Sequence, residues 1–533
     1  MNIKFCASIL GIALAGCGGG KGGSDKPPVP PATPTMTVVS GDIARYSAAG
    51  RGLAIEVSAQ AANFTPAGTL YANASDTAGI IQKPVAVVAN PGGAYTFTVD
   101  TLASVTAGHY KGSLVLKLCS DAVCNTPQSV PSISVPYDIT ILTGGEAWPG
   151  GKLTPLAPWT DVPDWSTFQG NASHTGYVAA TLNPDKFTLR WKIGALGTTD
   201  VSFYGYNTTL SAANGLFYAA SDNRLKARKE FDGSEVWTVD VSALQDPSVN
   251  PPAVTDGIVY MAAGQQSSTF MFGFDAATGA VRFKSAMSSQ WDTYLAPTPF
   301  GGAVYANAGT YGGLYAFNST GEQIFYGSLS QNSMWSPSVD ANSAYAYVGD
   351  SLTIFDRKTG VVLNKIVDTQ ATNQIYQVNG AAVLGAPGTA YAAYYANAFI
   401  NPGAIANSLM KFDTVKGIID WRIKGNYPVT PAYASGVLYA PNTNPYRIEA
   451  RAETDGALRW SWTSPAIGDS TWDNEPLVTK NLLFASTGKT TYAIDLRTQK
   501  VVWSYPAAGK LALSQNGILY IQNKEALVAI NVK

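Results

Sequence analysis

The sequence predicts an all-β protein in which a sandwich of short strands precedes a closed ring of sheets. From residue 215 onwards, a pattern of short apolar strands, a turn and an aromatic strand recurs about every 44 residues, a period typical of propeller blades. Residues 36–142 instead alternate apolar and polar side chains between Gly, Pro and Asn turns, as antiparallel sandwiches do. Eight copies of the repeat predict eight blades.

Each repeat contains a turn of the form Asp-x-x-Thr-Gly or a degraded version of it. In the copy at Asp275–Gly279, the Asp can accept backbone N–H groups and the Gly permits a positive φ. The Gly position recurs at Gly233, Gly321, Gly360, Gly417, Gly456 and Gln499. Four residues after it stand Trp237, Phe283, Phe325, Trp421, Trp460 and Trp503. We expect these aromatic side chains to pack each blade against the next.

The ends of the repeat array predict that the ring is closed by strand exchange. The last copy stops at residues 529–533, before its aromatic strand, whereas an isolated aromatic strand at 187–193 (FTLRWKI) precedes the first copy. We expect the strand of Trp191 to complete the last sheet, which would hide the exposed edges of an open array.

Residues 1–17 have the pattern of a secretory signal. Lys4 precedes a short apolar run, too short to span a bilayer, and the sequence Leu-Ala-Gly-Cys ends at Cys17. This segment resembles bacterial lipoprotein signals, which implies that a lipidated Cys17 becomes the new N-terminus. Because Gly18 replaces the Asp of inner-membrane retention, the resemblance implies a lipid anchor in the outer membrane, facing the periplasm or the cell surface. The alternative is an ordinary signal peptide that is cleaved elsewhere.

Three further segments precede the ring. Residues 18–35 are rich in Gly and Pro and predict a flexible to extended tether. In residues 36–142, GHYKGSLVLKLC and VPYDITIL resemble the last strands of an immunoglobulin-like module. Cys119 and Cys124 lie across a predicted hairpin turn and are expected to form a disulfide in an oxidising compartment. Residues 143–164 predict a linker.

The segment WSTFQGNASHTGY at 165–177, followed by FTLRWKI and the repeats, resembles the pyrroloquinoline-quinone-like (quinoprotein-type) propellers. The resemblance covers residues 165–533. This superfamily includes quinoprotein alcohol dehydrogenases and a lipoprotein of the outer-membrane barrel-assembly machinery. The shared motifs are those that hold blades together, so they imply the fold rather than an activity.

Composition disfavours several kinds of chemistry. Quinoprotein dehydrogenases typically use a pair of adjacent cysteines beside the quinone, and this chain has no such pair, so no cofactor is expected. Only His109 and His174 exist, which argues against a His-dependent triad or a His-ligated zinc; we expect His174 to be structural. With 35 basic and 36 acidic residues and no basic stripe, nucleic-acid binding is not expected.

A binding surface is predicted on the loops that enter the innermost strands, where a rigid scaffold usually carries function. The candidate residues are Tyr206, Trp291, Asp292, Trp335, Trp472, Asp473, Asn474 and Glu475. An aromatic patch for a protein partner is favoured over a cation site built from Asp292, Asp473 and Glu475. No metal is expected. The alternative is that the carboxylates are merely solvated and that the tryptophans cap the sheet ends.

These observations lead to one function hypothesis and two alternatives. The hypothesis is a non-catalytic cell-envelope lipoprotein whose propeller is a scaffold for envelope proteins, such as outer-membrane barrels or their assembly factors. One alternative is a pyrroloquinoline-quinone-dependent dehydrogenase, which would require the quinone and calcium. The other is a carbohydrate-binding surface protein that uses Trp472.

Overall fold

In the computed structural model, the regular structure of the described residues is almost entirely β strand. The described residues are 32–142, 153–194, 196, 210–244, 248–265, 267–289, 294–307, 312–330, 334–371, 380–394, 407–466, 469, 471–472 and 474–533. Within these ranges the chain forms strands and four 3-10 helices, Pro91–Gly93, Phe168–Gly170, Pro184–Lys186 and Val241–Leu244. No helix in the described ranges is long and apolar enough to cross a membrane.

Two four-stranded sheets form the N-terminal unit. Its strands are β1 (Thr35–Val38), β2 (Ile43–Ala48), β3 (Ala54–Ala62), β4 (Tyr71–Asp76), β5 (Ala86–Asn90), β6 (Ala94–Asp100), β7 (Gly108–Cys119) and β8 (Ile133–Leu142). The sheet orders are β1-β3-β6-β5 and β2-β8-β7-β4, with β2 parallel to β8. Val57, Phe97 and Ile139 are fully buried in the shared core. Burial alternates along β6, as the predicted sandwich pattern requires. Cys119 and Cys124 are joined by a disulfide.

The rest of the described chain forms eight antiparallel sheets, which we number repeat sheets 1 to 8. The strands up to the middle of the array are β9 (Thr188–Gly194), β10 (Ser211–Ala213), β11 (Leu216–Ser221), β12 (Arg224–Lys229), β13 (Glu235–Asp240), β14 (Ser248–Val249), β15 (Ala253–Thr255), β16 (Ile258–Gln265), β17 (Ser268–Asp275), β18 (Val281–Met287), β19 (Thr298–Phe300), β20 (Ala303–Asn307), β21 (Gly313–Asn318), β22 (Gln323–Ser328), β23 (Trp335–Ser336), β24 (Ser338–Val339), β25 (Ser343–Val348), β26 (Ser351–Asp356) and β27 (Val362–Val367).

The remaining strands are β28 (Gly380–Ala381), β29 (Val383–Leu384), β30 (Thr389–Tyr394), β31 (Ser408–Asp413), β32 (Ile418–Lys424), β33 (Ala432–Ala434), β34 (Val437–Thr443), β35 (Tyr446–Ala452), β36 (Leu458–Trp462), β37 (Leu477–Val478), β38 (Leu482–Ser486), β39 (Thr491–Asp495), β40 (Val501–Tyr505), β41 (Lys510–Leu513), β42 (Ile518–Gln522) and β43 (Ala526–Asn531). Sheets 1 to 7 are β10–β13, β14–β18, β19–β22, β24–β27, β29–β32, β33–β36 and β37–β40. Sheet 8 has the order β41-β42-β43-β9, and β23 forms a separate short parallel pair with β28.

The turns and aromatic strands behave as the repeat predicts. The Asp275 carboxylate accepts the backbone N–H groups of Ala277 and Thr278 at 3.1 and 3.0 Å, and Gly279 has φ +75°. The ring of Trp237, from the outer strand of sheet 1, lies so close to Gly279 of sheet 2 that a Cβ there would approach it to 2.8 Å. The Trp237 indole also donates to the carbonyl of Ala276 at 3.0 Å. Aromatic docking of one sheet on the next is therefore confirmed.

The predicted strand exchange is present in sheet 8. Strand β9 pairs antiparallel with β43, and Trp191 lies opposite Ala529. The Trp191 indole donates to the carbonyl of Glu230 in sheet 1 at 3.0 Å, so the same side chain joins sheet 8 to sheet 1. The first and last parts of the repeat array are thereby held together.

The second half of the predicted linker packs against sheet 8. The Gln515 amide donates to the carbonyl of Val162 at 2.7 Å, and the Trp159 N–H donates to the carbonyl of Gln515 at 2.9 Å. Val162 is buried. Residues 143–152 lie outside the described ranges.

The N-terminal unit packs on the outer strand of sheet 7. The Ser47 and Ser504 hydroxyls lie 3.1 Å apart, and the Lys500 ammonium donates to the Asp100 carboxylate at 2.5 Å. All five residues of β40 are buried, whereas β13, in the same position of sheet 1, is mostly exposed. The burial of β40 is therefore a consequence of the docked N-terminal unit.

Candidate functional site

The centre of the array is occupied by residues 165–178, which we call the inner strap. Its backbone meets the innermost strands of successive sheets in chain order. Trp165 and Ser166 carbonyls accept from Ala212 (sheet 1) and Val254 (sheet 2) at 2.8 Å each. Farther along, strap carbonyls accept from Val339 (sheet 4), Leu384 (sheet 5), Tyr433 (sheet 6) and Val478 (sheet 7) at 2.8 to 3.0 Å. Sheet 3 is joined by the Thr167 hydroxyl, which donates to Pro297.

The strap limits how far apart these strands lie. Fourteen extended residues reach at most roughly 50 Å, and the strap bends within that length at its 3-10 turn Phe168–Gly170. The inner strands of seven sheets therefore converge on one short segment. The backbone N–H groups on the inner side of these strands would otherwise need water or a ligand as a partner. Here they donate to carbonyls of the strap.

His174 is a structural residue of the strap, as the sequence predicts. It is fully buried. Its Nδ1 lies 2.6 Å from the Phe168 carbonyl and its Nε2 lies 2.9 Å from the Pro337 carbonyl. Burial lowers the pKa of the imidazole, which favours the neutral ring. The ring ties the strap to the start of sheet 4 and is shielded from solvent, so it is no candidate for catalysis.

Gln169 is the other polar anchor of the strap. Its side-chain amide donates to the Thr430 carbonyl at 3.0 Å, before sheet 6. Its backbone has φ +50°, a conformation that most residues avoid. Its Oε1 is buried and has no hydrogen-bond partner among the described atoms.

The predicted loop surface is only partly within the described ranges. Tyr206, Trp291, Asp292 and Asp473 fall outside them, as does Cys17. The other two tryptophans do not form an exposed patch, because Trp335 and Trp472 are each only 1% exposed. The prediction of an open aromatic surface is wrong for these two side chains.

Both tryptophans are buried because neighbouring sheets enclose them. Trp472 stacks on Tyr446 with a centroid distance of 4.9 Å and meets Trp462 edge-on at 6.3 Å. Trp335 lies in the core shared by sheets 3 and 4. A large aromatic ring gains most by such burial, and these two side chains belong to the cores between sheets.

The two remaining candidate residues take part in internal polar contacts. Glu475 accepts from Lys510 of sheet 8 at 2.8 Å, with both side chains largely buried. Asn474 is 8% exposed and donates to the Ser486 hydroxyl at 3.4 Å. The described residues contain no group of three or more His, Cys, Asp or Glu side chains placed to hold a metal ion. Glu475 is therefore an ion-pair partner of Lys510 and not a carboxylate that is free to bind a cation.

Another polar contact was not predicted and joins the N-terminal unit to the segment before Trp472. Arg51 donates to the Thr490 hydroxyl at 3.0 Å and lies 4.0 Å from the buried carboxylate of Asp469. Asp469 also accepts the backbone N–H of Lys489 at 3.0 Å. No local pattern marks these residues, because the contact joins positions more than 400 residues apart.

Comparison with known proteins supports the family resemblance. Residues 377–533 match the PQQ-like repeat family model described as "Outer membrane protein assembly factor BamB". No curated protein sequence matches the chain.

The solved structures that resemble parts of the chain share little sequence with it. BamB from Moraxella catarrhalis is 15% identical, with a TM-score of 0.49 over 65% of this chain and 98% of that one. The computationally designed Ika8 protein is 12% identical, with a TM-score of 0.48 over 64% of this chain and 100% of that one. The WD40 propeller domain of Doa1 is 10% identical, with a TM-score of 0.37 over 66% of this chain and 98% of that one.

Proposed function

We propose that this chain, whose residues 377–533 are PQQ-like propeller repeats, is a non-catalytic scaffold for proteins of the cell envelope. In this proposal the eight repeat sheets are the blades of one ring, and the N-terminal unit is an immunoglobulin-like sandwich. The protein is held at the outer membrane by lipid on Cys17, and its partners are outer-membrane barrels or the factors that assemble them.

The observation that carries the proposal is the inner strap. In quinoprotein enzymes the cofactor lies in the central channel, and here the chain's own residues 165–178 bond to the inner strands of seven sheets. This arrangement supports a role for the outside of the ring and its loops over a role for its centre. Proteins that bind through such surfaces gain affinity from well-packed side chains rather than from a reactive group.

The family match supports the proposed partner class. The matching family model is named after an outer-membrane protein assembly factor. The predicted lipid signal and the tether of residues 18–35 would hold the ring near that membrane. The disulfide between Cys119 and Cys124 is in keeping with an oxidising compartment outside the cytoplasm.

The proposal is tested by affinity capture of the full-length chain from gently cross-linked, detergent-solubilised envelopes. The matched control is Cys17→Ala, which should leave the folded ring intact and remove the anchor. We expect outer-membrane barrels or assembly factors to be enriched with the anchored chain and depleted in the control. If the anchored chain captures no more envelope protein than an unrelated lipoprotein does, the scaffold role is overturned. If the chain binds the quinone in the presence of calcium and oxidises alcohols in a dye-linked assay, the dehydrogenase alternative replaces the scaffold proposal.

A further inference from the structure

The array of sheets closes where its first strand meets its last sheets, and we call this place the seam. The segment Pro184–Lys186 leads into β9, which completes sheet 8. Phe187, directly before β9, meets Trp503 of β40 edge-on at a centroid distance of 5.4 Å and stacks on Phe484 of sheet 7 at 6.1 Å. The start of the array and β40 therefore pack together at the seam, although more than 300 residues separate them.

The N-terminal unit contacts both sides of the seam. On the side of β9, Arg45 of β2 forms an ion pair with Asp185, three residues before β9. On the side of sheet 7, the Ser47 hydroxyl lies 3.1 Å from the Ser504 hydroxyl of β40. Side chains two residues apart on a strand point to the same face. One face of β2 therefore spans the seam.

A small apolar contact accompanies these polar ones. Leu142, at the end of β8, is buried in the apolar core that contains Leu189 of β9 and Trp503 of β40, and Tyr46 of β2 packs against the same core. Most other buried apolar residues of the N-terminal unit form a separate core. The unit thus has its own folded interior and meets the ring through a limited surface, as domains that can move relative to one another do.

Four ion pairs among the described residues join the unit to the ring, and their signs differ along the interface. The unit supplies two cations and two anions, which pair as Arg45 with Asp185, Arg51 with Asp469, Glu56 with Arg497 and Asp100 with Lys500. A unit that was shifted or turned on the ring would place like charges opposite one another. The charges therefore select one docked position.

The ion pairs also make the docked state sensitive to salt. Burial lowers the pKa of Arg45 to about 10, so the guanidinium stays charged at neutral pH, and a buried cation needs a carboxylate partner such as Asp185. The pairs of Glu56 and Asp100 are partly exposed, so dissolved ions screen them. Docking is therefore expected to weaken as the salt concentration rises.

From these contacts we infer that the N-terminal unit is a clamp on the closure of the ring, which holds the start of β9 against sheet 7 while it is docked across the seam. When the unit leaves, β9 retains its pairing with β43 and the Trp191 contact with sheet 1, but the segment before it loses Arg45 and Leu142 as partners. The inference rests on the proposed closed ring and does not depend on which partner the ring binds.

The test measures backbone hydrogen exchange in the full-length chain by mass spectrometry, and small-angle X-ray scattering reports whether the unit is docked. Ser47→Arg places a bulky cation at a fully buried position of the interface, so the unit should undock and the radius of gyration should rise. We expect exchange in β9 and β43 to accelerate at least about tenfold, whereas β21 in sheet 3 should be unchanged. Ser134→Arg is the matched control, because Ser134 is an exposed serine of β8 in the same sheet as β2.

A second variant applies the opposite perturbation. In Ser47→Cys with Ser504→Cys, the two side chains are close enough for a disulfide to lock the unit on the seam. Raising NaCl from about 0.05 M to about 1 M shortens the screening length to about 3 Å. This change should speed exchange in β9 of the wild type and leave the locked chain unaffected.

Two results would overturn the clamp. One is that exchange in β9 stays at the wild-type rate while the scattering shows that the unit has undocked. The other is that the lock does not slow exchange in β9 at high salt, and this measurement decides the matter if Ser47→Arg unfolds the unit itself. Either result, together with capture of envelope proteins by the anchored chain, would leave the scaffold function standing without the clamp.

Discussion

Closure of the ring makes Trp191 the side chain whose loss should cost the most stability among the outer-strand aromatics. It is 8% exposed, stacks on Phe217 at a centroid distance of 5.6 Å and lies 6.0 Å from Tyr520. A Cβ on Gly233 would approach its ring to 3.3 Å. Trp191 thus contacts sheet 8, to which it belongs, and sheet 1, which follows it.

The change to examine is Trp191→Ala. Truncation of a buried tryptophan costs about 3–5 kcal/mol through lost transfer energy and the remaining cavity. The backbone oxygen of Glu230 is not left bare, because Arg190 also donates to it at 3.1 Å, so no further penalty for an unpaired carbonyl is expected. For a ring of this size, at the lower end of about 2–4 °C per kcal/mol, the melting temperature should fall by roughly 6–10 °C.

The assay is calorimetry at matched scan rates, because irreversible unfolding makes the apparent melting temperature depend on scan rate. Tyr326→Ala is the control, since Tyr326 is an outer-strand aromatic of sheet 3 that is 43% exposed. A loss for Trp191→Ala no larger than that of Tyr326→Ala would refute the reasoning that β9 closes the ring.

Three further predictions concern the turns, a buried carboxylate and the disulfide. Gly279→Ala should lower the free energy of unfolding by about 1–3 kcal/mol, because Gly279 has φ +75° and an added Cβ would lie 2.8 Å from the Trp237 ring. Gln499→Gly should raise the free energy of unfolding by up to about 1 kcal/mol, because Gln499 has φ +61°. Urea titration measures both changes. Burial raises the pKa of Glu230, whose carboxylate accepts from Tyr520 at 2.9 Å. The folded protein therefore keeps the Glu230 proton to higher pH than the unfolded chain, and the associated stability is present at low pH and lost as pH rises through the raised pKa. The melting temperature of Glu230→Gln should gain on that of the wild type as the pH rises above the usual pKa of a glutamate, and a difference that does not change with pH would contradict this. Cys119→Ser with Cys124→Ser should destabilise the N-terminal unit by about 2 kcal/mol, as expected for a short disulfide loop, and a reducing agent should lower the melting temperature of the wild type but not of the variant.

The repeat features were predictable from sequence because each is set locally. A turn that needs a positive φ selects Gly at 279 and 417, and a docking site against the next sheet selects Trp at 237 and 421. These requirements recur in most copies, so their spacing is visible without any knowledge of the tertiary structure. The strand exchange of Trp191 follows from the same count, since one aromatic strand is left over at the start and one is missing at the end.

The binding surface was less predictable because it depends on contacts between distant parts of the chain. Trp335 and Trp472 have the composition of an interface, but their exposure is decided by neighbouring sheets. The strap was recognised only as a family motif. Its small and polar residues have no strand periodicity, and its hydrogen bonds reach partners from Ala212 to Val478.

Departures from the repeat are the places where the ring meets something other than its next sheet. Strand β40 keeps the docking aromatic Trp503, and it is covered by the N-terminal unit. Strand β43 has no outer strand of its own and receives β9 from the start of the array. Strand β27 has lost the docking aromatic and remains uncovered, with apolar residues facing outwards. Exposed Val361, Val362 and Leu363 add nothing to the packing of their own sheet. The junction of sheets 4 and 5 therefore has the amide of Asn364 beside Gly417 and the buried Ile366, where the neighbouring junctions have an aromatic ring.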